Sequence, residues 1–164
     1  MVAASPVEGI DAPRDSHLGD AADARRARRR PGENRERLIG AGIGEFGTHG
    51  YHGTSTTSVA ALAGVPQPHV YANFKTKQEL FLACAARVVD ALVDDASDAD
   101  RLGGAARARA RLHSDFLFQA FAAASDPKLQ PELGECLRRL RDRIGREAVL
   151  RLLASSAAET LAEE

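Results

Sequence analysis

The stretch from Thr54 to Leu80, TSTTSVAALAGVPQPHVYANFKTKQEL, leaves this chain few folds to choose from. Thr54, Ser55 and Thr56 carry hydroxyls suited to capping a helix start. Val59, Ala60, Leu62 and Ala63 then set one apolar face at helical spacing. Gly64 stands where a chain can leave a helix through the left-handed region at little cost, and Pro66 suits the opening of the next helix. The pattern predicts short helices near Thr56–Ala63 and Gln67–Asn73, joined by a tight turn. Thr76-Lys77-Gln78-Glu79 is a capping box that opens a longer helix. Two short helices joined this tightly make a helix-turn-helix, and the second helix of such a pair can lie in a DNA major groove.

The flanks read as helix as well. Glu33 to Thr48 places Leu38, Ile39, Ile43 and Phe46 on one face. It also holds Gly40, Gly42 and Gly44, each costing about 1 kcal/mol relative to Ala inside a helix, so packing must compensate. Gly42 to Gly47 matches GxGxxG. A dinucleotide site needs a strand before that motif, and a charged helical segment precedes it here. After the capping box, Leu80, Phe81, Cys84, Val88 and Leu92 continue one stripe to about Asp94-Asp95. A loop at 98–104 and a helix over 105–124 follow, the latter with Leu112, Phe116 and Ala120 in line and Leu117 and Phe121 beside them. Ser125-Asp126-Pro127 marks a turn. One helix is predicted from Pro131 to Leu153, with Leu133, Leu137, Leu140 and Ile144 inward and Arg138, Arg139, Arg141, Arg143 and Arg146 as a solvated face. Ser155–Glu164 has little core.

Residues 1–32 have no apolar period and read as a disordered tail. Within it, Arg25, Arg26, Arg28, Arg29 and Arg30 form either an arm that reaches a minor groove or simply a solvated run; a start codon misassigned upstream of the real protein is a further reading of this tail. Net charge is −1, unevenly divided: −4 over residues 1–24, +6 over 25–77 and −3 over 78–164. The positive segment surrounds the helix-turn-helix, which suits a phosphate backbone as partner. Cys84 and Cys136 are far apart and lack a CxxC partner, so they read as core residues in a reducing cytoplasm. No apolar run approaches the roughly 20 residues a membrane helix needs. His17, His49, His52, His69 and His113 form no ligand set with acids or cysteines, and neither GxSxG nor GxxxxGK is present. No metal, cofactor or catalytic residue is expected.

Between Arg37 and Phe81 the sequence resembles the DNA-binding domain of the tetracycline-repressor (TetR) family of transcriptional regulators. The residues that carry the resemblance are Leu38, Ile39, Ala41, Phe46, Gly50-Tyr51, Thr54, Val59-Ala60, Ala63-Gly64-Val65, Val70-Tyr71, Phe74, Lys77 and Leu80. The resemblance implies an all-α protein: a three-helix helix-turn-helix domain over 33–78, then a helical ligand-binding and dimerisation domain over 79–164. It implies that the helix from Gln67 enters the major groove. Gln67 would bond a base edge, most naturally adenine, and Pro68 and Tyr71 would pack on a thymine methyl or sugar. His69 would reach phosphate, as would Thr56 and Thr57 with help from their helix start. Lys77 matches the family lysine that clamps the backbone. Core packing is the competing reading for Tyr71, and plain solvent exposure for Lys77.

Two departures stand out. The glycines of the first helix replace helix-favouring residues, with Glu45 where an apolar residue is usual. The segment after Leu153 lacks room for the last two helices that usually form a four-helix dimer interface, so either the regulatory domain is shortened, or the chain dimerises by another surface, with the helices over 105–124 and 131–153 as candidates, or its end is not the natural one. A small-molecule effector would sit among the C-terminal helices, with His113, Phe116 and Phe121 as candidate lining. The leading expectation is a cytoplasmic, ligand-responsive repressor that binds a palindromic operator as a homodimer. The alternatives are an interaction module that captures another regulator without holding DNA, and a truncated gene product with no selected function.

Overall fold

Leu38, Ile39, Ile43 and Phe46 are all buried along one face of the first helix, α1 (Glu33–Gly53), and the next four helices pack against α1. The computed structural model describes residues 32–97 and 104–162. The predicted tail, with its five arginines, and most of the loop at 98–104 lie outside the described residues. The helices that follow are α2 (Thr56–Ala63), α3 (Gln67–Asn73), α4 (Lys77–Ser97), α5 (Gly104–Ala123), α6 (Gln130–Ile144) and α7 (Arg146–Ala162). No strand occurs among the described residues, and the fold is all-α as expected.

The core is an aromatic seam. Phe46 meets Phe81 edge-on at 5.0 Å, and Phe81 meets Phe116 at 5.2 Å, so α1, α4 and α5 share three fully buried rings. Burying each ring contributes about 1.5–3 kcal/mol, and ring pairs in such geometry add roughly 0.5–1.5 kcal/mol. This closeness explains one of the three helix-weakening glycines, Gly42, and also Gly47 further along the helix. A Cβ on Gly42 would lie 2.8 Å from Cys84 Sγ in α4, and one on Gly47 would lie 3.2 Å from the Phe116 backbone nitrogen in α5. Gly40 and Gly44 face open space and have no such reason. The GxGxxG run lies wholly inside α1, without the strand a dinucleotide site requires.

Three expectations need correction. The first helix continues past Thr48 to Gly53, through a kink at Gly50 (φ 72°, ψ 174°). The single helix expected over 131–153 is two helices. Gly145 (φ 84°, ψ 155°) ends α6 and donates its N–H to the Arg141 carbonyl, after which α7 runs to Ala162, well past Leu153. Apolar periodicity alone hides this break, because Ile144, Ala148 and Leu152 still fall four residues apart across it. Finally, Leu62 and Leu112, assigned to apolar faces, are 61% and 49% exposed.

Candidate nucleic-acid interface

Local sequence positions α3. Ser55 caps α2, its Oγ accepting from the Ser58 N–H at 2.9 Å. Gly64 ends α2 in the left-handed region (φ 59°, ψ 37°), and the Val65 N–H donates back to the Ala60 carbonyl at 3.0 Å. That closure reverses the chain within three residues and delivers Pro66 to the start of α3. Val65, Val70 and Phe74 are buried, as expected for core residues. They hold one side of α3 against α1 and α2, and Arg35 of α1 lies 4.8 Å above the Phe74 ring. The opposite side of α3 presents Gln67, Pro68, His69 and Tyr71, all exposed. Tyr71 is 52% exposed, which removes the core reading for it.

The exposed polar side chains of α3 are held from outside the helix. Gln67 Nε2 donates to Thr57 Oγ1 at 2.9 Å. Tyr71 Oη and Thr56 Oγ1 are 3.2 Å apart. Asn34 Nδ2, on the first turn of α1, is 3.2 Å from His69 Nδ1. Thr56, Thr57, Gln67, His69 and Tyr71 therefore share one surface. Asn34 joins them and was not legible in advance, since nothing local in the sequence ties residue 34 to residue 69.

Lys77 is placed differently from a solvent-exposed lysine. Its Nζ donates to the carbonyls of Tyr51 (2.8 Å) and Thr54 (3.0 Å), and it sits 4.7 Å above the Tyr51 ring. Two of its three N–H donors are thus engaged within the fold, pinning the start of α4 to the end of α1. The capping box forms in a shifted version. The Glu79 N–H donates to Thr76 Oγ1 at 3.0 Å, but the Glu79 carboxylate accepts from the Lys75 N–H at 2.8 Å rather than from that of Thr76. The α4 helix is further tied to α1 by Arg87 and Glu36 at 2.6 Å.

The effector candidates separate. Phe116 is in the central seam. His113 is buried, and its Nδ1 has no hydrogen-bond partner. Burial holds its pKa below the ordinary histidine value, with Arg109 acting in the same direction and Asp95 opposing. Phe121 lines a cleft of about 430 Å³ between α5, α6 and α7, with Leu137, Val149 and Leu150 as apolar walls and Arg138, Arg141 and Arg146 at its edge. The structure does not gather the three candidates into one pocket wall. Burial pushes the Cys84 thiol far above its usual range and raises that of Cys136. Among the described residues, no three His, Cys, Asp or Glu side chains are grouped to hold a metal ion, and no helix is long and apolar enough to cross a membrane.

A short, outward-facing polar helix, delivered by a tight turn and braced on a third helix, makes a helix-turn-helix. Residues 38–84 match the family model of bacterial regulatory proteins, tetR family. The chain is similar to the HTH-type transcriptional activator FasR of Mycolicibacterium smegmatis, 37% identical over 95 residues, which are 57% of this chain and 43% of that protein. The chain thus spans less than half of that relative's length. Among solved structures it is similar to a TetR-like transcriptional regulator from Rhodococcus sp. RHA1, with 26% identity and a TM-score of 0.50 over 81% of this chain and 76% of that one. A TetR-family regulator from Mesorhizobium loti MAFF303099 aligns with 23% identity and a TM-score of 0.47, covering 81% and 71%.

Proposed function

We propose that this chain is a sequence-specific DNA-binding regulator that inserts α3 into the major groove. One observation carries the reading: α3 buries Val70 and leaves Gln67, Pro68, His69 and Tyr71 facing outward together. A helix built only for packing has no need of that face. Gln67 reads a base edge, Pro68 and Tyr71 meet a thymine methyl or the sugar, and His69, Thr56 and Thr57 approach phosphates. Lys77 keeps one donor for phosphate while its other two brace the fold. The arginines at 25, 26, 28, 29 and 30 add an arm in the neighbouring minor groove.

Two copies would place two α3 helices in successive major grooves of a near-palindromic operator, about 34–36 Å apart. Phe121 and Leu150 are exposed apolar side chains on α5 and α7, 38% and 51% accessible, and they favour these helices as the self-association surface. A small-molecule effector in the C-terminal helices, with His113, Phe116 or Phe121 among its contacts, would change the spacing of the two heads and release the operator. We place the protein in the cytoplasm as a repressor, with no catalytic role. FasR is named an activator, so the sign of regulation is set by a promoter–reporter assay with and without the chain.

Tyr71→Ala tests the groove reading. Specific affinity falls while the helical circular dichroism stays unchanged. Retention of full operator affinity refutes the docking of α3. The same exposed apolar surface also supports a second reading, an interaction module that captures another regulator. Under that reading the chain is a monomer at micromolar concentration and selects no DNA sequence.

A further inference from the structure

We propose that the cleft between α5, α6 and α7 binds a small apolar monocarboxylate, whose carboxylate is held by Arg146 and Arg141. This deepens the effector reading above and rests on it for the regulatory role, not for the binding. The cleft encloses about 430 Å³, within the range of small-molecule sites. Phe121, Leu137, Val149 and Leu150 are among its apolar walls, and Arg138, Arg141 and Arg146 are its charged residues. Among the described residues, no acidic side chain lines it.

The break at Gly145 makes this site. In one continuous helix over 131–153 these side chains would lie along a single rod. With α6 ended at Gly145 and α7 restarted at Arg146, both helices line one space together with Phe121 of α5. That space is polarised. Arg141 and Arg146 flank the break, Arg138 stands about one turn further in, and Gly134 and Leu153 lie at the reach of each helix furthest from it. From Gly134 to Arg141 α6 rises about 10 Å, which limits the apolar body of a ligand to a ring or a short alkyl chain.

The arginines here are not equivalent. Residues 134–153 hold six arginines and three acids. Arg139 is paired with Asp90 of α4, and Arg138 and Arg141 are paired with their helix neighbours Glu135 and Asp142. Arg143 and Arg146 have no ion-pair partner among the described residues, and of these two only Arg146 lines the cleft. A guanidinium takes a carboxylate at two points of its planar fork. Beside it, Leu150 and Phe121 leave apolar surface for the ligand body to cover. A second copy laid over the same mouth by two-fold symmetry would bring its own arginines against these, and like charges oppose that contact. A small anion carries the charge this mouth lacks.

The test is calorimetric titration of the full chain with octanoate and with phenylacetate, each compared with its uncharged amide. Helical content and light scattering are recorded for every variant. The wild type takes up at least one acid in preference to its amide; octanoate alone marks an alkyl ligand, phenylacetate alone an aromatic one. Arg146→Gln weakens binding by ~10-fold or more, as loss of a charged two-point contact implies, and Arg146→Lys weakens it less. Arg143→Gln, which removes the same charge outside the cleft, leaves it unchanged. Gly134→Leu fills the cleft, since a Cβ there meets only Arg138 Nη1 at 3.5 Å, and it abolishes binding with helical content retained. Equal losses in Arg146→Gln and Arg143→Gln reveal general charge attraction and overturn the proposal. Uptake of neither acid overturns it as well, and if the chain then scatters as a dimer the occupant is a second copy. Acid binding that leaves operator affinity unchanged upholds the site and removes only the effector reading.

Discussion

Gly42→Ala asks whether the weak helix formers of α1 are there for packing. In an exposed helix this change stabilises by about 1 kcal/mol. At Gly42 the added Cβ would lie 2.8 Å from Cys84 Sγ, where non-bonded heavy atoms prefer about 3.5–4.0 Å. Cys84 has no route out of the way. It is fully buried, has a single side-chain torsion, and its Sγ is 3.5 Å from the Ile39 carbonyl. Overpacking a tight core costs about 1–3 kcal/mol, so the net expectation is a loss of about 1–2 kcal/mol. With m near 2 kcal/mol/M that is a fall of roughly 0.5–1 M in urea midpoint. The assay is urea unfolding followed by circular dichroism for Gly42→Ala, Cys84→Ala and the double variant, with Gly40→Ala as control. Gly40 has nothing within 4 Å of a built Cβ, so Gly40→Ala should gain up to about 1 kcal/mol. The double variant should recover at least ~1 kcal/mol relative to the sum of the singles, because Cys84→Ala removes the atom that clashes. A Gly42→Ala variant as stable as Gly40→Ala, with no coupling to Cys84, would falsify the packing argument.

Lys77→Met should destabilise the fold by about 2–3 kcal/mol, since two carbonyls lose a charged donor; a change below about 0.5 kcal/mol together with a large loss of DNA affinity would instead make Lys77 chiefly a phosphate contact. His113 titrates below its ordinary value of about 6.5 in the folded chain. Between those two values the unfolded chain binds more protons, so stability should fall as pH drops through that window and be independent of this group above it. His113→Leu should gain on the wild type as pH is lowered from 8 to 5, and a pH-independent difference between the two proteins removes His113 as the cause.

The helix-turn-helix was legible because its signals are local. Ser55, Gly64, Pro66 and Thr76 each act on the backbone within four residues of themselves, and α2 and α3 fall where those residues put them. The buried set Val59, Val65, Val70 and Phe74 followed from the same register. What escaped was non-local. Asn34 meets His69 across 35 positions, and Lys77 reaches back 26 to the Tyr51 carbonyl. No periodicity encodes either contact. The break at Gly145 escaped because the apolar rhythm continues through it, leaving a lone glycine as the sole sign. The purpose of Gly42 could not be seen without its neighbour in α4.

Guanine N7 lies in the major groove, and its methylation by dimethyl sulfate reports directly on whether α3 is there. On a duplex carrying the selected operator, the protein should protect guanines in two patches whose centres are 10–10.5 base pairs apart, the spacing of two α3 helices on one face of B-DNA. Protection should vanish when Gln67 and Tyr71 are both replaced by alanine. Binding that leaves every major-groove N7 as reactive as in free DNA would contradict the account.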